Sequence, residues 1–253
     1  MKTFKLINLL KKMNSKSTLK NFLKFSLGIG LFIPLMKSQP ANAASPCPAS
    51  NSVTTMNGQP NPCFTTPEKL EVTFFEIGFC TSDPLSTGTF DYSTCSKTWD
   101  NTSGYKTDIG KKTFEDMVGN VYKVPNATYS HAYAIMNNNW TYKAEYKLKD
   151  GDTYYTLSNG AQTTNESQYV DWTDDISDML GEETTGLCYD YSMSTDNGTV
   201  TAVLADSNKV SATDTTSCDN ATRVIGSVAL NSSLTMDNSV KGYKLEWQIT
   251  NLG

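Results

Sequence analysis

The sequence predicts an all-β fold, an antiparallel β-sandwich with long loops and at most one short helix, preceded by a cleavable signal peptide. Three observations predict it. Apolar and polar residues alternate with a period of two in several segments, β-branched and aromatic residues are frequent there, and Gly, Asn and Asp separate the segments. Because the alternate positions are polar, we expect one side of each sheet to face water.

The clearest predicted strand covers residues 140–148. Apolar or aromatic side chains alternate with polar ones over all nine residues. Asp150-Gly151 then gives a hairpin turn into a second strand at residues 153–157. Residues 129–135 show the same period and predict the strand that precedes it.

The first strand is expected at residues 70–80. Its apolar phase slips by one residue between Phe74 and Phe75, which predicts a β-bulge there or burial on both faces. Residues 81–110 are rich in Thr, Ser, Asp and Gly, and they are interpreted as long loops.

The rest of the chain alternates between short strands and polar turns. Ile176, Met179 and Leu180 have helical spacing behind several acids, so the short helix is placed at residues 171–180. Asp196-Asn197-Gly198 predicts a tight hairpin turn. The remaining strands are predicted at residues 186–193, 199–204, 223–230 and 243–249.

The N-terminal residues have the pattern of an export signal. Residues 1–43 contain eight lysines and no acid, an apolar stretch at 25–36 and the small-residue triplet Ala41-Asn42-Ala43. The apolar stretch is shorter than the roughly 20 residues that span a bilayer as a helix, so no stable membrane anchor is expected after cleavage. Residues 44–67 form a Pro-rich, disulfide-tied lead-in, and residues 68–253 form the β-sandwich domain. The predicted location is extracellular, periplasmic or on the bacterial cell surface.

All six cysteines follow the predicted cleavage site, which fits an oxidising compartment. No C-x-x-C pair occurs, which argues against zinc and thioredoxin-like chemistry. Six cysteines permit fifteen pairings. Proximity along the chain suggests Cys47–Cys63, Cys80–Cys95 and Cys188–Cys218, but the sequence does not choose among the pairings.

The exported part of the chain is strongly acidic. Without residues 1–43 it keeps 13 of the 21 basic residues against all 26 acidic ones, a net charge of −13. This charge argues against nucleic acid as a partner. Residues 150–208 hold twelve acids and no base, which favours a solvated acidic face. The alternative is a structural calcium ion, with ligands drawn from Asp171, Asp174, Asp175 and Asp178.

Aromatic residues offer a second binding interpretation, in which exposed rings stack against sugars. Because the rings lie on the apolar side of their strands, burial in the core is favoured over an exposed row. The candidates are Trp140, Tyr142, Tyr146, Trp172 and Trp247.

No catalytic residue is assigned. His131 is the only histidine, and Ser130 beside it is expected to point to the opposite face of the strand. His131 is therefore interpreted as a histidine packed among tyrosines. The G-x-S-x-G, H-E-x-x-H and G-x-G-x-x-G motifs do not occur in the sequence.

One stretch of the chain has the layout of a known group. A strand at residues 70–74 and 76–80 ends in a cysteine, Cys95 closes the next loop, and a proline-led strand follows at residues 124–129. This layout resembles uncharacterised secreted bacterial β-sandwich proteins with paired cysteines. The resemblance implies the fold and export, and it implies no activity.

Together these features predict a secreted or cell-envelope protein that is not an enzyme and has a structural or adhesive role. Its predicted partners are a glycan or other copies of the same chain. The alternative is an extracellular module that binds a glycan or another small ligand, assisted by calcium.

Overall fold

A computed structural model of the chain describes residues 66–110, 116–148, 151–176 and 198–240, and the backbone alone of residues 24–27, 191–195 and 244–247. The predicted all-β, sandwich-like fold is confirmed, because antiparallel sheets dominate. Within this part of the chain there is one α-helix, α1 (Thr215–Asp219), and there are two 3-10 turns, Tyr92–Thr94 and Glu166–Gln168. Most of the predicted signal peptide and lead-in lies outside the described residues.

The strands are numbered along the chain. They are β1 (Lys24–Leu27), β2 (Lys69–Cys80), β3 (Cys95–Asp108), β4 (Asn120–Val121), β5 (Ala127–Asn137), β6 (Asn139–Lys143), β7 (Glu145–Lys147), β8 (Thr153–Thr156), β9 (Gln162–Thr163), β10 (Trp172–Asp175), β11 (Tyr191–Thr195), β12 (Gly198–Ala205), β13 (Arg223–Met236) and β14 (Lys244–Trp247).

The main sheet has nine strands in the order β10-β6-β2-β5-β13-β12-β11, with β3 paired to β2 and β4 paired to β3. A small sheet has the order β7-β8-β9. Strands β1 and β14 pair with each other in parallel. The final strand was predicted at residues 243–249, and its partner is a segment within the predicted signal peptide.

The main sheet forks at Asn138. Strand β2 pairs antiparallel with β6 near Lys69 and with β5 from Phe74 to Cys80, so β5 and β6 act as one long strand bent between them. On the far side of the bend, β13 pairs with β5 and β10 pairs with β6. The buried Asn138 amide donates to Asp175 Oδ1 at 2.9 Å and to the Ala221 carbonyl at 2.8 Å. These two bonds hold the branches together.

The core lies against β2, β5 and β13. Its largest cluster is built from side chains of both branches of the fork, and burial of each such side chain contributes about 1.5–3 kcal/mol. The cluster includes Leu70, Phe74, Met136, Trp140, Leu204 and Val224. A second cluster surrounds Phe79 and Tyr129, and a third surrounds Ile135 and Ile225.

The long-loop interpretation of residues 81–110 was wrong for its second half, because β3 runs for fourteen residues there. The polar sequence of β3 hides the strand pattern. Its polar side chains find partners on the neighbouring strands: the fully buried Thr98 hydroxyl, for example, donates to the Ile77 carbonyl at 2.9 Å. Only residues 81–94 connect β2 to β3.

Two other predictions need correction. Residues 172–175 of the expected helix form strand β10, because backbone pairing with β6 satisfies them, and residues 177–180 lie outside the described part of the chain. The expected nine-residue strand at 140–148 is broken at Ala144 into β6 and β7, which belong to different sheets.

Several local predictions are confirmed. The slip at Phe74 is a register shift in the pairing of β2 with both neighbours, and the residues after it are buried on both faces. The hairpin of β7 with β8 forms as expected. So does the hairpin of β11 with β12, in which Thr195 faces Gly198. Strand β13 is longer than predicted and contains a second register shift, between Ala229 and Leu234.

Candidate functional site

Two buried carboxylates face each other on strands β2 and β3. Glu76 and Asp100 are directly opposite in the strand pairing and are only 3% and 8% exposed. Opposite residues of an antiparallel pair place their side chains on the same face. The sheet therefore holds two acids side by side, and each needs a partner, because burying an unpaired charge is costly.

Glu76 is paired by a lysine and a tyrosine. The Lys209 ammonium lies 2.5 Å from Oε2, and the Tyr133 hydroxyl donates to Oε1 at 2.7 Å. Lys209 also lies 5.1 Å from the centroid of the Tyr92 ring. Burial raises the pKa of both tyrosine hydroxyls, and the nearby Glu76 charge raises them further. The rings of Phe90, Tyr92 and Tyr133 pack together around this pair.

A tight turn closed by Asp206 places Lys209 beside Glu76. Lys209 has a φ of 69°, in the left-handed region that non-glycine residues seldom adopt. The Asp206 carboxylate accepts hydrogen bonds from the backbone N–H of Asn208 and of Val210 and so closes the turn. These bonds hold the pKa of Asp206 below its ordinary value.

Asp100 has three donors of its own. The Lys97 ammonium contacts Oδ2, the Asn120 amide donates to Oδ1 at 2.9 Å, and the Tyr122 hydroxyl donates to Oδ2 at 3.1 Å. Burial alone would raise the pKa of Asp100, but these hydrogen bonds outweigh it and lower the pKa. The hydrogen bond to Asp100 raises the pKa of Lys97. Lys97 also lies 4.5 Å from the centroid of the Tyr122 ring.

We call this set the carboxylate network. Its two acids are matched by two lysines, so its formal charge is balanced. It presents to solvent the partly exposed lysines and the rings of Tyr92 and Tyr122, which are 38% and 39% exposed. Its members are Glu76, Tyr92, Lys97, Asp100, Asn120, Tyr122, Tyr133 and Lys209.

An open acidic cleft of about 690 Å³ lies near the start of β2 and the end of β6. The Tyr169 hydroxyl donates to Glu68 at 2.7 Å, and Lys143 lies 4.1 Å from the centroid of the Tyr169 ring. Burial raises the pKa of Tyr169, and Glu68 adds to the shift. The cleft is lined by Thr66, Glu68, Lys143, Glu145, Glu166 and Tyr169.

The Ser130 and His131 side chains are in contact, contrary to the prediction that they point to opposite faces. Ser130 and His131 are neighbours on β5, yet Ser130 Oγ lies 2.9 Å from His131 Nδ1. The same hydroxyl lies 3.0 Å from the Thr81 carbonyl, to which it donates. Because the Ser130 hydroxyl donates its only proton to the Thr81 carbonyl, it accepts the hydrogen bond from His131 Nδ1. His131 therefore does not act as a base on Ser130. Burial lowers the pKa of His131, and the charge of Asp83 opposes that shift.

The aromatic candidates do not form an exposed row. Trp140 and Tyr142 are buried in the largest core cluster, and Trp172 packs partly buried against Tyr142 with ring centroids 5.5 Å apart. Tyr146 lies on the separate small sheet. The side chain of Trp247 is outside the described residues.

Three of the four acidic candidates lie in the described part of the chain. Asp171 is paired with Lys69 at 2.6 Å, and Asp175 accepts from Asn138. Asp174 and Asp175 are consecutive residues of β10. Asp178 lies outside the described residues. In the part of the chain that the structure describes, no group of three or more His, Cys, Asp or Glu residues is placed to hold a metal ion.

One of the expected disulfides is present. Cys80 and Cys95 are bonded, with an S–S distance of 2.03 Å, and they are directly opposite in the pairing of β2 with β3. Cys218 is also disulfide-bonded, and its partner lies outside the described residues. Cys47, Cys63 and Cys188 lie outside them too, so their pairing remains a prediction.

The carboxylate network was not predicted from the sequence. Its residues come from separate strands and turns, and Asp100 and Lys97 fall in the stretch interpreted as loops. The signal that was present is Glu76 within the otherwise apolar residues 74–80, since an acid there needs a buried partner.

The fold and the network define an all-β protein built on a forked antiparallel sheet. Comparison of the chain with protein families, with curated proteins and with solved structures finds no match. Among the described residues, no helix is long and apolar enough to cross a membrane.

Proposed function

We propose that this chain is a secreted or cell-envelope protein with a structural or adhesive role and no catalytic activity. The observation that carries the proposal is the internal pairing of the carboxylate network. Glu76 and Asp100 are each matched by a lysine and by tyrosine donors, so they serve to bind strands β2, β3 and β5 to one another and to the Lys209 turn.

Export is the first part of the proposal. The Cys80–Cys95 disulfide is compatible with an extracellular or periplasmic location, and residues 1–43 supply the signal pattern. The test is expression of the full chain in a bacterium, followed by fractionation and N-terminal sequencing. We expect an exported form that begins at Ala44. Full-length protein retained in the cytoplasm would contradict it.

Adhesion is the second part. Tyr92 and Tyr122 are the partly exposed rings of the network, and exposed tyrosines contribute contact area at surfaces. Beads coated with the exported form are tested for attachment to cells and to uncoated surfaces. The double variant Tyr92→Ser and Tyr122→Ser is expected to attach less. Tyr154→Ser, on the small sheet, is the matched control. Equal attachment by all three proteins would contradict an adhesive role of these rings.

Self-association gives a third test. Cleavage after Ala43 would remove β1 and leave the backbone edge of β14 without that partner. An unpaired strand edge favours pairing with another copy. Light scattering and negative-stain microscopy are then expected to show larger assemblies for the exported form than for the uncleaved chain. Monomers of both forms at high concentration would count against assembly.

The second candidate function is a module for a glycan or another small ligand, and the acidic cleft favours it. Carboxylates of this kind can accept hydrogen bonds from sugar hydroxyls, and the Tyr169 ring lies beside them. Calorimetric titration with soluble oligosaccharides, with and without calcium, tests it. The variant Glu68→Gln is expected to bind less tightly than Glu71→Gln, which lies outside the cleft. Absence of binding at millimolar ligand would rule the candidate out.

A further inference from the structure

One corner of the carboxylate network brings together an amine, an acid and a carboxamide. Asp100 on β3 and Asn120 on β4 are directly opposite in the strand pairing. Lys97 reaches the same face because Thr98 is an extra residue in β3: Ile77 faces Trp99, while Gly78 faces Lys97. A bulge of this kind changes the face to which the following side chains point.

A single carboxylate holds both reactive groups. Lys97 Nζ contacts Asp100 Oδ2, and Asn120 Nδ2 donates to Asp100 Oδ1 at 2.9 Å. The amine and the carboxamide therefore contact the two oxygens of the same carboxylate. The Tyr122 hydroxyl fixes Oδ2 at 3.1 Å, and its ring lies over the lysine. Orientation of this kind is a large part of what makes a slow reaction fast.

We propose that Lys97 and Asn120 become joined by an amide bond between their side chains, which links β3 covalently to β4. Asp100 takes a proton from the Lys97 ammonium, and the neutral amine attacks Cγ of Asn120. The new C–N bond forms as the Cγ–Nδ2 bond breaks. The leaving nitrogen takes one proton from the attacking amine and one from Asp100, and it departs as ammonium. The step consumes no oxidant or other co-reactant.

The surroundings support this reaction. Asp100 is only 8% exposed, so bulk water is largely excluded from its carboxylate. Strand β4 has only two residues, so few backbone hydrogen bonds hold it to β3. A covalent link fixes this short edge strand, which suits a protein outside the cell.

Mass spectrometry of the intact protein after disulfide reduction tests the proposal. We expect the wild-type chain to be lighter than its sequence by one molecule of ammonia, and a protease digest to contain a branched peptide that joins Lys97 to Asn120. The variants Lys97→Arg and Asn120→Ala are each expected to have their full sequence mass. Lys106→Met, which removes another ion-paired lysine of β3, is the matched control and should keep the loss.

Three results would overturn the proposal. The first is a wild-type chain with its full sequence mass. The second is a loss of one molecule of water, which would mean condensation of Lys97 with a carboxylate. The third is an ammonia loss that persists in Asn120→Ala, because the ammonia would then come from a different residue. None of these results depends on whether the protein is adhesive.

Discussion

Replacing Lys209 by methionine tests the pairing of the buried Glu76. The change keeps an unbranched side chain but removes the ammonium 2.5 Å from Oε2. Breaking a buried ion pair from one side typically costs about 3–5 kcal/mol, because the remaining charge is left uncompensated. Lys209 is 35% exposed and Tyr133 still donates to Glu76, so we expect the lower end, about 3 kcal/mol at pH 7.

The matched control is Lys106→Met, which breaks the ion pair with Glu71. Lys106 is 62% exposed, and exposed pairs are worth at most about 1 kcal/mol. Urea unfolding of both variants and the wild type gives the two free-energy differences. A loss no larger than that of the control would refute the reasoning.

Three further predictions concern single features of the sheet. Asn138→Ala removes both hydrogen bonds at the fork and is expected to lower the unfolding free energy by about 2–4 kcal/mol. Tyr142→Phe is the control, because the buried Tyr142 hydroxyl has no partner among the described residues, and it should change the unfolding free energy by less than about 1 kcal/mol. Urea unfolding measures both, and the reverse ranking would contradict this prediction. Serine at both Cys80 and Cys95 opens a loop of 15 residues and should lower the stability by about 3 kcal/mol, seen as a lower Tm, and an unchanged Tm would show that the bridge does not stabilise the fold. The pKa of Tyr133 is raised in the folded state, so the contribution of Tyr133 to stability is complete below the ordinary pKa of 10 and is lost as the pH rises above 10. Ultraviolet titration at alkaline pH should therefore find late-ionising tyrosines in the wild type and one fewer in Tyr133→Phe.

The sequence predicts strands well where apolar residues mark one face. Strand β2 was found with its bulge because Leu70, Val72 and Phe74 alternate and the phase then slips. Strand β3 was missed because the polar residues Thr98 and Asp100 are buried in it and satisfied by partners on other strands. Binary patterning does not detect a strand whose buried residues are polar.

The helix expected at residues 171–180 shows a different limit. Three apolar residues at helical spacing favour a helix locally, but so short a helix is only marginally stable by itself. The edge of β6 offers backbone partners from Asn139 to Tyr142, and residues 172–175 pair with it as β10. The sequence does not indicate which strand edge is open.

The carboxylate network could not be predicted from the sequence for a related reason. Lys209 reaches Glu76 from 133 residues away, in a turn set by Asp206. Ser130 Oγ lies 2.9 Å from His131 Nδ1, which contradicts the rule that neighbours on a strand point apart. Such contacts depend on tertiary packing and turn geometry.

The central claim is that Glu76 and Lys209 form a coupled pair that binds the strands of this sheet to the Lys209 turn. A double-mutant cycle with Glu76→Gln and Lys209→Met, followed by urea unfolding at pH 7, measures their coupling directly. The account predicts a coupling free energy of about 2–3 kcal/mol. Losses that simply add, to within about 0.5 kcal/mol, would contradict it.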